Sequence, residues 1–205
     1  MSLYLSVTYS YLYILFTTFP NVFSNLYNFN EGETGLAYLG LGVGFSIGQI
    51  SLGPFLDWYH KRQTALHGTN KPEDRLPPLI LGTCLVPIGL IWYGWCAKYR
   101  THWILPIIGT GFTAAGMFYT FVAIQIYLID AFTLFAASAI AANTVARSVF
   151  GATIPLAAPA LYNRLGLGWG NTLLGFIGVA FIPFSIALMV FGERIRTAER
   201  FRVGL

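Results

Sequence analysis

The stretch LAYLGLGVGFSIGQISLGPFLDWYHKR, residues 36–62, decides the fold class. Its first part is an apolar run of the length that crosses a bilayer as a helix, which takes roughly 20 residues at 1.5 Å each. Within it Gly40, Gly44 and Gly48 recur at i, i+4 and i+8, on one helix face. Glycine costs a helix about 1 kcal/mol against alanine in water, so three in register point to a packing reason. In lipid the hydrophobic drive between helices is weak, and small residues let backbones meet. The plainer reading is that glycine is simply commoner in membrane helices. The run ends in Gly53, Asp57, Lys61 and Arg62, with the carboxylate four and five residues before the cations. That knot can pair across a tight turn, or with another helix end, and so act as a gate; a solvated basic loop accounts for the same residues without one.

Working outward, the 205 residues are 56% hydrophobic and only 10% charged, against about 25% charged in soluble domains. Apolar stretches run over about 3–23, 34–56, 78–97, 103–129, 134–161 and 170–192. The alternation of a membrane barrel is missing, and lipid admits only helices or closed barrels. The expected fold is all-α, with six transmembrane helices, no folded domain outside the membrane, a loop at 57–77 and a tail at 193–205. The first span is a poor signal peptide: it lacks a basic start and carries Thr8, Ser10, Thr17 and Thr18. Cys84 and Cys96 are 12 positions apart on one expected helix, about 18 Å, too far for a disulfide.

The net charge of +4 is distributed by side. Lys61, Arg62, Lys71, Arg75, Arg194, Arg196, Arg200 and Arg202 fall on one side of the alternating loops, and Lys98, Arg100 and Arg164 on the other. The richer side is expected to be cytoplasmic, with both termini there, and the tail on anionic lipid or in water. Nucleic acid is not an expected partner. Three spans precede AKYRTH (97–102) and three follow it, a 3+3 layout that fits the inverted repeats inside the halves of many secondary transporters.

Arg147 is the one full charge deep in a span, about 20 Å along a helix counted from residue 134. A bare charge there costs at least about 2.5 kcal/mol, so it must face protein or water. Asn143, one turn earlier, shares its face, while Asp130 belongs to the end of the preceding span. No metal-ligand cluster, Ser-His-Asp set or phosphate loop is present, so neither an enzyme, a metal nor a cofactor is expected.

Several motifs carry a resemblance: YILFTTFPNVF (13–23), GLAYLGLGVG (35–44), NKPEDRLPP (70–78), GLIWYGW (89–95), HWILPIIGT (102–110), QIYLIDAF (125–132), SAIAANTVARSVFGATIPL (138–156), GWGNTLLGFI (168–177) and FGERIR (191–196). In that order the chain resembles the C-terminal half of major facilitator superfamily transporters, in the fungal drug:proton antiporter branch with twelve helices. Gly53, Asp57, Lys61 and Arg62 look like that family's loop signature between helices eight and nine. The resemblance implies that the six spans correspond to helices seven to twelve, and that the activity is proton-coupled efflux of small amphipathic compounds, at the plasma membrane. It also implies a missing N-terminal six-helix bundle, hence a truncated sequence; the alternative is a non-transporting protein that only inserts or associates with a full transporter. Tyr9, Tyr13 and Phe16 on the first span would line the central cavity with Phe112, Phe118, Tyr119 and Gln125 on the fourth, and a stripe facing lipid or core accounts for the same residues; Gln49 is a weaker candidate. Asn143 and Arg147 join that set. For Arg147 two readings stay open: it meets substrate or an acidic partner in the absent half, or it is structural, bonded to backbone carbonyls.

Overall fold

In the computed structural model of the chain, residues 2–67, 77–132 and 135–187 are described, and they are helical almost throughout. The helices are α1 (Ser2–Tyr27), α2 (Glu31–Ala37), α3 (Leu39–His67), α4 (Pro77–Lys98), α5 (Ile104–Phe132), α6 (Ala136–Thr153) and α7 (Ala158–Ala180). Among the described residues four stretches are long and apolar enough to span a membrane: Glu31–Tyr59, Pro77–Lys98, Ile104–Phe132 and Ala136–Ala187. The molecule is an all-α membrane fold. α1 has the length but carries more hydroxyls than those four. Its polar groups are largely discharged along the helix, Thr8 Oγ1 donating to Tyr4 O at 2.9 Å, Ser10 Oγ to Ser6 O at 2.8 Å and Thr18 Oγ1 to Ile14 O at 2.6 Å. Such back-bonding removes the cost of an unsatisfied hydroxyl away from water.

α5 sits between α3 and α4. The α3–α5 pair is parallel: Gly40 faces Ile107, Gly44 faces Gly111 and Ala114, and Gly48 faces Ala115 and Phe118. The α4–α5 pair is antiparallel and just as close, Gly82 lying on Gly116 and Thr120, and Gly89 on Gly109 and Thr113. α7 closes on the other side of α4 in antiparallel register, Gly94 against Leu167 and Asn171, Gly175 against Ile91, and Gly178 against Pro87. The α4–α7 contact is stitched by Trp95 Nε1 donating to Thr172 Oγ1 at 3.0 Å, and just beyond α7 the hydroxyl of Ser185 meets that of Thr83 on α4 at 3.2 Å. Tyr11 of α1 donates to Leu174 O of α7 at 2.9 Å, which ties α1 to the same core.

Four boundaries differ from expectation. The second apolar stretch does not begin as one rod: α2 is a separate helix, opened by a capping box in which Asn30 Oδ1 accepts from Glu33 N (2.8 Å) and Glu33 Oε2 from Asn30 N (3.0 Å). α3 does not turn at Asp57 but continues to His67, because QTAL and its neighbours contain no breaker and favour helix. The fifth stretch is α6 followed by a 3₁₀ turn at Ile154–Ala157, where Pro155 cannot donate to an α-helical bond, and then by the start of α7. The break before the sixth is at Gly166 (φ 70, ψ 172), a backbone state that L side chains avoid. Six separate apolar spans are therefore not all resolved. The residues 68–76 of the expected loop, the tail at 193–205 and their cations lie outside the described residues.

The seams generate a test. A Cβ at Gly44 would collide with the Gly111 carbonyl, whereas one at Gly42 on the same helix meets nothing. Gly44→Ala is expected to lower the melting temperature of the purified protein, by an overpacking cost of about 1–3 kcal/mol. Gly42→Ala should hold or raise it; indistinguishable melting curves would show that backbone contact does not hold α3 to α5.

Candidate functional site

A cavity of about 390 Å³ opens where four helices meet. α1 contributes Leu5, Thr8, Tyr9 and Leu12, α3 Phe45, α5 Met117, Phe118 and Phe121, and α6 Arg147. The lining is apolar and aromatic except for the guanidinium, the composition expected of small-molecule sites, in which few polar groups set orientation.

Arg147 is half-buried, and its head is held by rings. The guanidinium carbon lies 4.8 Å from the centre of the Tyr9 ring and 5.2 Å from that of Phe121. Cation–π attraction of this kind is worth about 2 kcal/mol when the pair is desolvated. Nε is buried and has no hydrogen-bond partner. Among the described residues no backbone carbonyl accepts from Nε; the contacts of the head are the two rings. Asp130 lies nine residues beyond Phe121 on α5, which places it about 13 Å further along that helix.

One turn before Arg147 on α6, Asn143 is 1% exposed, and neither Oδ1 nor Nδ2 has a partner. Gln125, one turn beyond Phe121 on α5, also has a buried Oε1 without a partner. Elsewhere the buried amides are satisfied: Asn171 accepts from Tyr162 Oη at 3.1 Å and donates to Leu167 O at 2.9 Å. Unpaired buried polar atoms are uncommon and each calls for a reason.

The sequence-derived candidates fall into separate groups. Tyr9 and Arg147 share the cavity. Tyr13 and Phe16 continue the stripe away from it, ring centres 5.1 Å from Tyr9 to Tyr13 and 6.3 Å from Tyr13 to Phe16, and both are exposed. Phe118 lines the cavity, but Phe112 and Tyr119 do not: Phe112 stacks on Trp92 of α4 at 5.8 Å, and Tyr119 Oη bonds to Ser51 Oγ of α3 at 2.7 Å. Two residues along a helix is about 200° of rotation, so Tyr119 points away from the side that Met117 presents. Gln49 is exposed. Phe45, Met117 and Phe121 were not anticipated; the 117, 118, 121 spacing on one helix was the available signal. Gly53, Asp57, Lys61 and Arg62 are all exposed on successive turns of α3; Arg62 sits over the Trp58 ring at 5.6 Å, and among the described residues no ion pair joins Asp57 to Lys61 or Arg62.

The small residues of α6 are largely uncovered. Ala137, Ala141, Ala142, Val145, Ser148 and Val149 are exposed, and only Asn143 and Gly151 on that helix are buried. That face is not filled within this chain; the tight seams are those of α5 with α3 and α4, and of α4 with α7.

An apolar helical bundle of this kind is an integral membrane fold, here with a cavity of small-molecule size. Comparison with known proteins identifies which kind. The chain is 54% identical over 203 residues to the MFS-type transporter penM of Penicillium rubens, covering 99% of this chain and 40% of the relative. It is 50% identical to the MFS transporter cpaT of Aspergillus oryzae, over 100% of this chain and 41% of that protein, and 52% identical to the MFS-type transporter atr4 of Stereocaulon alpinum, over 98% and 36%. It belongs to the major facilitator superfamily and matches one half of such a transporter, spanning about two fifths of these relatives' length, in their C-terminal part. No family model matches, and no solved structure matches significantly.

The unpaired amide beside Arg147 yields a prediction. Asn143→Leu removes two unsatisfied buried atoms at similar volume, so it should stabilise the purified protein against heat by about 1 kcal/mol or more. A melting temperature below that of the parent would mean that Asn143 is satisfied in the folded protein.

Proposed function

We propose that this chain forms the C-terminal bundle of a secondary active transporter exporting small amphipathic compounds in exchange for protons, from the plasma membrane and with both termini cytoplasmic. The observation that carries the reading is the aromatic cavity at the meeting of α1, α3, α5 and α6 with Arg147 in its wall. Carrier sites lie between repeats near the midplane, and apolar aromatic walls accept ligands of loose identity. The proton coupling and the drug-like substrates are supported by the resemblance to the drug:proton antiporter branch.

The second bundle is proposed to come from outside these residues. Relatives more than twice as long support this, and so does the uncovered small-residue face of α6, since such faces let another helix approach closely in lipid. In that arrangement Tyr13 and Phe16 face the shared cavity above Tyr9. Asp57, Lys61 and Arg62, presented on turns of α3, meet the other bundle's end and serve as the cytoplasmic gate.

The test is export from yeast. Cells producing this chain together with the N-terminal part of the penM relative should lose preloaded Nile red and fluorescein faster than cells producing either part alone. A protonophore should abolish the difference. Arg147→Ala should slow export of the anionic fluorescein by roughly 10- to 100-fold, the equivalent of losing about 1.5–3 kcal/mol from a charged hydrogen bond, with membrane insertion unchanged. Export of neither dye by the pair, or export insensitive to the gradient, would overturn the reading.

A further inference from the structure

We infer that the cavity is an anion site: it takes amphipathic compounds whose head is a carboxylate, and Arg147 is the residue that selects them. The inference deepens the transport reading by assigning the chemical class of its substrate. It rests on how the guanidinium is held. Tyr9 at 4.8 Å and Phe121 at 5.2 Å occupy its neighbourhood with ring contacts and accept no N–H hydrogen bond in doing so. The donors of the fork, which lie in its plane, are left for a planar acceptor, and Nε is buried with no partner. A carboxylate matches that fork with two parallel bonds; an ammonium would be repelled by it.

Asn143, on the same face of α6 one turn away, is 1% exposed with both amide atoms unpartnered, but it is not among the residues lining the cavity, so Arg147 carries the assignment. The rest of the wall, Phe45, Met117 and Phe118 among it, suits an aromatic body rather than a hydrated ion. A volume of about 390 Å³ falls within the ~300–1,000 Å³ of small-ligand pockets.

The experiment uses the 205-residue chain in phosphatidylcholine nanodiscs, with equilibrium dialysis of two radiolabelled probes of equal shape, 1-naphthoate and 1-naphthamide. The naphthoate is expected to bind roughly tenfold or more tightly than the amide. Arg147→Gln should erase that preference while leaving amide binding in place, and Arg147→Lys, a point charge without a fork, should retain only part of it. Circular dichroism and elution volume of each variant report folding. Equal binding of the two probes to the parent chain, or a preference that survives in Arg147→Gln, would overturn the inference. A retained naphthoate preference without dye export in yeast would sink the transport reading alone; export with equal probe binding would sink only the anion assignment.

Discussion

Everything in the bundle is positioned by how closely α5 can be approached. A helix pair in lipid gains little from burying apolar surface, because the acyl chains are equally apolar; what remains is van der Waals contact, which requires the backbones to come near. Glycine supplies the proximity on both flanks, Gly40, Gly44 and Gly48 from α3 on one side and Gly82 and Gly89 from α4 on the other. α5 answers with its own Gly109, Gly111 and Gly116 at those points. With α3 and α4 drawn in, Met117, Phe118 and Phe121 have a single direction left, toward α1 and α6. The cavity is what remains on the side where the neighbours carry Tyr9 and Arg147 instead of glycine.

The polar groups follow from the same absence of water. Most hydroxyls are returned to the backbone of their own helix, as at Thr83 (2.6 Å to Leu79 O) and Thr113 (3.1 Å to Gly109 O), and others cross between helices, as Tyr11 does to α7. Against that background Gln125, Asn143 and Arg147 leave unpaired atoms on adjoining turns of α5 and α6, and the buried Tyr93 hydroxyl on α4 is unpaired as well. Fold stability alone does not favour them, since each buried unsatisfied group costs about 1–3 kcal/mol. Residues kept at such a cost are those whose partner arrives with function.

How much of this was legible depends on which physical signal each residue leaves in one dimension. The Gly40, Gly44, Gly48 face stands out because a period near four is a helix face whatever the surroundings. The α4–α5 seam was not singled out although it is at least as tight, because Gly82, Gly89, Gly109 and Gly116 come in sevens and pair only across a chain reversal. Local rules at element ends were available but outweighed by hydropathy: Asn30 and Glu33 have capping-box spacing, and the GLGWG run at 166–170 announces a break. The depth and isolation of Arg147 could be counted from the sequence; its partners could not, because Tyr9 and Phe121 are brought to it by helix packing. Phe112 and Tyr119 show the converse. Being aromatic made them candidates, but direction around a helix is set by which neighbours close in, and these two fall on the flank taken by α3 and α4.

In the two-bundle carrier proposed above, the position of the cavity bears on how a ligand would be shared between the bundles. In a transporter built from two bundles, the substrate must be released as the bundles part, so contacts shared evenly between them would be torn at every cycle. Here the charge and its two rings come from a single bundle, with α1, α5 and α6 contributing one residue each. The head of a ligand can then stay with this bundle while its apolar body exchanges partners on the other side, where Tyr13 and Phe16 are exposed. Rocking of rigid bundles needs such an asymmetry, because a ligand shifts an equilibrium between states only by the difference in its interactions with each. In the proposed carrier, an uncovered, small-sided α6 beside a ring-held cation would supply both: a surface that another helix can leave and rejoin closely, and a charged group belonging to one bundle alone.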